Sequence, residues 1–408
     1  MDEGRRWSQS EAHMARLSDY VVFADKQLEK RYATSSISME ILHEAYIDGA
    51  LDIPNLDAFL DTRAELVDFD ITRGHLRFLV SRMLPEWLIH SKAQDMRIVR
   101  EHYDRGNDFF AAFLGESMIY TSGVFHNETE TLEEAQRNKL NAVCQKVRLE
   151  AGHSLLDIGC GWGTLVAHAA REFGAQATGV TLAQTGAAFG NARIAEQGLQ
   201  ERARLLCLDY REIPAHKYDR IISLEMVEHV GVKNLGTYFE VVREHLKDDG
   251  FFLVQWCGLR RGGPLGVAPV GMRPEDMVWG LFMNKYIFPG ADASLPLSEM
   301  SKAMEKAGFG VHSVENVSVH YALTIQRWQQ NWERNRASIS ASYGQRWYRL
   351  WNLFLGWSWR IALQGSSECF QAVVHKNLDG FDRRFSLGMN SLPLTNGQDS
   401  RRGLAALG

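Results

Sequence analysis

Short apolar runs alternate with amphipathic stretches through the middle of the chain, and this alternation predicts an α/β fold. Residues 155–158 form a mostly apolar run that ends in three alternating glycines and continues into residues 164–170, which is typical of a buried strand, a tight turn and a helix. Further strand-like runs occupy residues 177–182, 203–207, 220–224 and 251–255, with later strands expected at 308–321 and 369–375. Strands and helices in this order form a mostly parallel sheet that binds its ligand at the carboxyl ends of the strands.

The segments around this core divide the chain into five predicted parts. Helical apolar spacing at residues 37–51 and 56–66 predicts an N-terminal helical accessory domain over residues 1–95 that covers part of the site. An oligomerisation arm is the alternative for it, and the oligomeric state stays open. The other parts are a core at residues 96–321, an inserted helical lid at 322–366, a final core strand at 367–389 and a disordered polar tail at 390–408.

Composition narrows the function classes. A formal net charge of −5 argues against a nucleic-acid partner, because nothing global would displace counterions from phosphate. The five cysteines are odd in number and form no C-x-x-C, so we expect no disulfide framework, no metal site and a reducing compartment. No apolar stretch is long enough to span a bilayer, which favours a cytoplasmic protein.

The glycine turn carries the first chemical information. Gly159, Gly161 and Gly163 form a G-x-G-x-G turn, with Asp157 two residues before the first glycine. Glycines allow a sharp turn and let a ligand approach backbone amides that a β-carbon would shield. This spacing differs from the dinucleotide-binding fingerprint and is typical of Rossmann-like methyltransferases that use S-adenosylmethionine.

Five motifs in chain order make this interpretation more specific. They are H-Y-D-x-G-N-D-F-F at residues 102–110, Y-T-S-G at 120–123, L-D-I-G-C-G-W-G at 156–163, G-V-T-L at 179–182 and E-H-V-G at 228–231. Together they resemble the cyclopropane fatty acid synthase and mycolic acid methyltransferase family over residues 98–380. Two further stretches, residues 279–294 and 364–378, look most like the fungal sphingolipid C9-methyltransferases.

The resemblance implies a class I methyltransferase sheet, S-adenosylmethionine as cofactor, and methyl transfer to an alkene carbon of a sphingoid base or unsaturated acyl chain. The residues at the family's cofactor positions are Tyr120, Thr121, Asp157, Gly159, Gly161, Gly163, Thr181 and Asp209. Asp209 would accept from the adenine amino group, with a surface ion pair as its alternative. The family glutamine that holds the ribose falls on Gly186, and Gln184, two residues earlier, is the candidate that would replace it in binding the cofactor.

The catalytic positions follow from the same resemblance. A helix is expected to open at Glu225 after the fourth strand, and Glu228 within it matches the family carboxylate near the reacting methyl. Tyr321 matches a family tyrosine, and His229 is a further candidate base, with a structural histidine as the alternative. In cyclopropane synthases a cysteine and a histidine help these groups to hold a bicarbonate. Ser122 and Gln255 replace them in the substrate pocket, which favours plain methyl addition over ring closure.

Residues 327–360 combine six arginines with six of the eleven tryptophans. Such a face suits peripheral contact with a membrane surface, and a lid packed over the acyl pocket is the alternative. Two other functions also stay open. One is methylation of an amine or an apolar natural product, and the other is a catalytically silent lipid-binding homologue.

Overall fold

The N-terminal part of the protein combines helices with very short strands. The computed structural model describes residues 16–32, 35–83, 105–260, 273–289 and 295–386. The first elements are β1 (Val22–Phe23), α1 (Lys26–Tyr32), β2 (Ile37–Ser38), α2 (Met39–Asp48), β3 (Leu51–Asp52), α3 (Leu56–Leu66), β4 (Val67–Asp68) and α4 (Arg73–Phe78). Helices α2 and α3 confirm the two predicted helical stretches. The predicted tail at 390–408 and residues 102–104 of the first motif lie outside the described residues.

The rest of the described chain forms an α/β unit. Its first half contains α5 (Asn107–Leu114), α6 (Leu132–Lys146), β5 (Ser154–Ile158), α7 (Thr164–Glu172), β6 (Gln176–Thr181), α8 (Gln184–Glu196), β7 (Ala203–Cys207) and β8 (Tyr218–Leu224). Its second half contains α9 (Leu235–His245), β9 (Leu246–Leu259), α10 (Pro274–Tyr286), α11 (Leu297–Lys306), β10 (Phe309–Asn316), α12 (Ser318–Arg334), α13 (Arg336–Tyr343), α14 (Gln345–Leu363) and β11 (Ser367–Lys376).

The seven long strands form one mixed sheet in the order β10-β11-β9-β8-β5-β6-β7. Strands β5 to β9 run parallel, whereas β10 and β11 pair antiparallel at one edge. The order reverses between β5 and β8, so the carboxyl ends of these strands flank the crevice where doubly wound sheets bind ligands. The predicted α/β sheet is therefore confirmed.

Two predicted boundaries were wrong for local reasons. The strand expected through Tyr321 ends at Asn316, whose carboxamide oxygen accepts hydrogen bonds from the backbone N–H (2.9 Å) and the hydroxyl (2.6 Å) of Ser318. This turn starts α12, so Tyr321 lies on a helix. No helix opens at Glu225 either, because two short 3₁₀ turns, Val227–His229 and Val232–Asn234, precede α9.

The arginine and tryptophan region packs against the N-terminal elements. Trp328, Trp332, Trp351 and Trp357 are at most 1% exposed and belong to the same apolar core as α2 and α3. Arg360 is buried as well, and its guanidinium bonds the carboxylates of Asp57 (3.1 Å) and Asp61 (2.6 Å). These contacts favour the packed lid over a membrane-facing surface. In the described ranges, every helix is too short or too polar to cross a bilayer.

Candidate active site

The turn after β5 depends on its three glycines, which all have positive φ: +84° at Gly159, +53° at Gly161 and +77° at Gly163. A Cβ at Gly159 would lie 2.6 Å from Met226, and one at Gly163 would lie 2.5 Å from Leu205. A Cβ at Gly161 would meet no atom within 4 Å. The outer glycines thus make room for the protein's own side chains, whereas Gly161 leaves the backbone of the turn open.

A cavity with an empty volume of about 1270 Å³, part of it open to solvent, lies above this turn. The predicted site residues in its lining are Tyr120, Thr121, Asp157, Gly159, Gly161, Thr181, Asp209 and His229. The predicted residues outside its lining are Ser122, Gly163, Gln184, Glu228, Gln255 and Tyr321. The carboxyl ends of β5, β6 and β8 all reach this cavity, as expected for such a sheet.

Asp157 ends in a buried carboxylate at the floor of the cavity. The residue is 3% exposed, and burial raises its pKa to about 7, while the charge of Lys139 acts in the opposite direction. Within the described ranges no hydrogen-bond donor reaches this carboxylate. It is therefore an acceptor available to a ligand in the cavity.

Lys139 is a buried cation that the sequence reasoning missed. It is 1% exposed, lines the cavity and donates from Nζ to the Thr121 hydroxyl at 2.9 Å. Burial lowers its pKa to about 8, and the charges of Glu225 and Asp157 oppose that shift. A signal was available, because Gln136 and Lys139 interrupt the apolar stripe of α6. Gln136 likewise turns inward and donates to the Thr121 carbonyl at 2.9 Å.

The adenosine side of the cavity is only partly as predicted. Asp209 is buried and lines the cavity, and both of its carboxylate oxygens accept from Arg211 at 2.7 Å. The ion pair considered for Asp209 therefore exists, although inside the cavity wall. Thr181 also lines the cavity and accepts from the Ala183 N–H at 3.2 Å. Gln184 is exposed at the start of α8, and the structure does not bring it into the lining.

Glu225 is the carboxylate that reaches the cavity beyond β8. Its φ is +52°, a strained value for a non-glycine residue, and its N–H donates to the Gln255 carbonyl at 2.8 Å. Its Oε1 accepts from the Ser122 N–H at 2.9 Å and from the Gln255 side-chain amide, and the Tyr321 hydroxyl also bonds to the carboxylate. Ser122 and Gln255 thus hold Glu225 instead of lining the cavity.

Glu228 follows Glu225 by three residues but does not line the cavity. Its Oε1 accepts from the Cys257 N–H at 2.6 Å, and its buried Oε2 has no hydrogen-bond partner among the described residues. Burial, reinforced by the charge of Glu225, raises its pKa to about 8, so this carboxyl group is neutral at pH 7. The role of Glu228 as the carboxylate beside the reacting group stays a prediction, and Glu225 is the carboxylate of this segment that lines the cavity.

Two thiols complete the surroundings of Glu225. Potential ligand atoms of Glu225, Cys257 and Cys369 lie within 4.8 Å of one another. Burial raises the pKa of Cys257 well above its usual value and that of Cys369 to about 11. Burial therefore favours the protonated thiol form of both cysteines beside this carboxylate.

Comparison with known sequences gives a consistent result. The family described as mycolic acid cyclopropane synthetase matches residues 90–372. A sphingolipid C9-methyltransferase of Komagataella phaffii is 45% identical over 89% of this chain and 75% of its own length. The enzyme of that name from Candida albicans is 42% identical, over 90% of this chain and 73% of its own. A probable fatty acid methyltransferase of Pseudomonas putida is 33% identical, over 78% and 77% respectively.

Solved structures extend the comparison to the fold. A cyclopropane synthase from Mycobacterium tuberculosis has a TM-score of 0.65 and 26% identity, covering 69% of this chain and 98% of its own. A mycolic acid cyclopropane synthase complexed with SAH and CTAB has the same TM-score and coverage at 25% identity. The fold described above is therefore shared with these solved cyclopropane synthases.

Proposed function

Because this chain belongs to the mycolic acid cyclopropane synthetase family and is an S-adenosylmethionine-dependent methyltransferase, we propose that it adds a methyl group to carbon 9 of a sphingoid base. The sphingolipid C9-methyltransferases are 42–45% identical to this chain and match 89–90% of it. The observation that carries the proposal is that the open glycine turn and the carboxylate of Glu225 line the same cavity.

The cavity residues fit S-adenosylmethionine. The open backbone at Gly161 accepts a ligand without a clash, and the unengaged Asp157 carboxylate suits the amino group of the methionine end. Thr181 would bind a ribose hydroxyl, and Asp209, whose carboxylate lines the cavity, would accept from the adenine amino group. The group supplies an electrophilic methyl on a positively charged sulfur.

Methyl transfer of this kind requires a nucleophile held in line with the donor, so the enzyme works mainly by positioning and by exclusion of water. A carbon of a hydrocarbon chain is nucleophilic only as part of a double bond, so carbon 9 must be an alkene carbon. The ring of Tyr120 lines the cavity and suits the cation that forms on the acceptor. Tyr120 packs against Trp328 at 5.4 Å and Phe288 at 6.1 Å between ring centroids.

Methyl addition and ring closure differ in the proton that is lost. Ring closure removes a proton from the transferred methyl group, whereas methyl addition removes one from the acceptor chain. Ser122 and Gln255 are engaged with Glu225 and are not available to hold a free anion near the methyl group. This geometry supports methyl addition.

The test uses S-adenosylmethionine whose methyl group is fully deuterated, a sphingolipid with a double bond at carbon 9, and mass spectrometry of the product. We expect a product that retains all three deuterium atoms and whose double bond remains next to the new branch. A product with two deuterium atoms would indicate a cyclopropane and contradict methyl addition. The matched control is the same lipid with a saturated base, which we expect to be left unchanged.

A further inference from the structure

Methyl addition requires a base that removes a proton from the acceptor. We propose that the carboxylate of Glu225 is this base, so that the enzyme carries its proton acceptor in its own chain. The inference rests on the proposed function, because it concerns the proton that methyl addition releases. It depends on four features of Glu225: its contacts, its backbone, its charged neighbours and its place in the cavity.

The contacts orient the carboxylate and leave it capacity for a proton. Three donors hold it: the Ser122 N–H at 2.9 Å, the Gln255 side-chain amide and the Tyr321 hydroxyl. A carboxylate offers about four lone-pair positions, so one remains for a proton from the substrate. The first two donors are fixed in the fold, since Ser122 and Gln255 are both at most 1% exposed.

The backbone at Glu225 is strained where the cavity begins. A φ of +52° suits glycine, and a larger residue there costs about 1 kcal/mol. Glu225 directly follows β8 and lines the cavity together with Asp157 and His229. Glycine would fit this backbone without strain. A functional role of the carboxylate explains why a bulky, charged residue occupies the position instead.

The neighbouring charges make Glu225 a better base than the other candidates. Burial raises its pKa above the usual value, which increases its affinity for a proton, and the hydrogen bonds from Ser122 and Gln255 and the charge of Lys139 oppose that shift. The other titratable groups around it, Glu228, Tyr321, Cys257 and Cys369, are neutral at pH 7 because burial raises each of their pKa values. His229 also lines the cavity, but burial lowers its pKa to about 4, which makes it a weak base.

In the proposed step, every electron pair and the released proton have a defined destination. The alkene π pair forms the bond to the methyl carbon, while the pair of the breaking sulfur–carbon bond stays on sulfur. The adjacent chain carbon becomes a cation. The C–H bond on the methylated carbon then breaks, its pair restores the double bond, and the proton passes to the free lone pair of Glu225. The net change replaces one hydrogen of the alkene by a methyl group.

The test compares Glu225→Gln with Glu225→Gly in bicarbonate-free buffer, with sodium formate as the added probe. Both variants should bind S-adenosylhomocysteine as tightly as the wild type in calorimetry, because Asp157 and the glycine turn are intact. Both should lose about 10²-fold or more of single-turnover product formation. Glycine suits the positive φ, so Glu225→Gly is expected to fold and to leave a space in which formate meets the three donors.

Formate is expected to restore product formation in Glu225→Gly and to have no effect on Glu225→Gln, in which the glutamine side chain fills the space. In the unrescued glycine variant, deuterium on the methylated carbon should slow the reaction more than in the wild type, because proton loss becomes limiting. Wild-type product formation by Glu225→Gln would overturn the proposal. So would a loss of product formation in Glu228→Gln while both Glu225 variants stay active. If the wild type itself methylates no lipid alkene, the proposed function has failed instead.

Discussion

At the residue scale, the active site is a set of ionisable groups with shifted pKa values in one buried space. Asp157 and Glu225 have raised pKa values because burial disfavours their charged forms, and Lys139 has a lowered one for the same reason. The charge of Lys139 opposes the upward pKa shift of both carboxylates. Perturbed groups that cluster in a cleft in this way are typical of functional sites.

Replacement of Lys139 should therefore change the pH dependence of cofactor binding. An ionised Asp157 is needed to bind a ligand amino group, so wild-type affinity for S-adenosylhomocysteine should rise as pH increases through about 7. In Lys139→Met the opposing charge is gone, the pKa of Asp157 rises further, and the same increase in affinity should occur at higher pH. Calorimetry across the neutral range measures both curves.

The matched control for this prediction is Lys146→Met on the same helix. Lys146 donates to Glu315 at 2.8 Å and to Gln371 at 2.6 Å, and it does not line the cavity. Its replacement should leave the binding curve unchanged. An identical curve for Lys139→Met would show that this lysine does not govern the ionisation of Asp157.

At the scale of elements, the glycine turn and the sheet could be predicted from sequence because their signals are local. The apolar runs predicted β5 to β9 within a few residues, and the turn required glycine at each position of positive φ. The place of Glu225 and Glu228 could not be predicted in this way. The assignment of Glu228 came from a match to the family motif, whereas a positive φ directly after β8 and two 3₁₀ turns decide which carboxylate lines the cavity.

The function of the turn can be tested with two alanine substitutions. Gly161 and Gly152 both have positive φ and open space at the Cβ position, but Gly152 lies before β5, at the opposite end of the strand from the cavity. Each substitution should cost about 1–2 kcal/mol of unfolding free energy, because alanine is strained there. Only Gly161→Ala should also weaken S-adenosylhomocysteine binding, by about tenfold or more, since its Cβ occupies the ligand's approach. Equal affinities in the two variants would contradict a ligand-binding turn.

At the scale of the whole molecule, the N-terminal elements and the lid helices share one core, which the sequence did not predict. Arg360 of α14 reaches α3, where it bonds two carboxylates and the Asp57 carbonyl at 3.0 Å. The composition of residues 327–360 suggested a basic surface. The partners of Arg360 lie some 300 residues away in the sequence, so local composition does not reveal the pairing. The partners of these arginines became evident only in the fold.

Arg360→Met should therefore destabilise the whole protein by roughly 2–3 kcal/mol, because it removes several bonds of a buried guanidinium. The control is Arg346→Met. Arg346 pairs with Asp48 at 3.0 Å, and the Asp48 side chain is 58% exposed, so loss of this pair should cost less than about 1 kcal/mol of unfolding free energy. Chemical denaturation measures both changes. If Arg360→Met only makes the N-terminal part more sensitive to proteolysis, and the free energy of global unfolding does not change, the two regions unfold separately.

The lid also has a defined attachment to the sheet. Helices α12, α13 and α14 all lie between β10 and β11, and these strands are hydrogen-bonded neighbours, with Asn316 opposite Phe370. Both ends of the insertion are therefore anchored side by side, as in a hairpin whose loop has grown into three helices. Such an insertion can lengthen, shorten or be exchanged during evolution while the strands below stay in register. Acceptor choice could thus diversify in this architecture without altering the machinery that activates the methyl group.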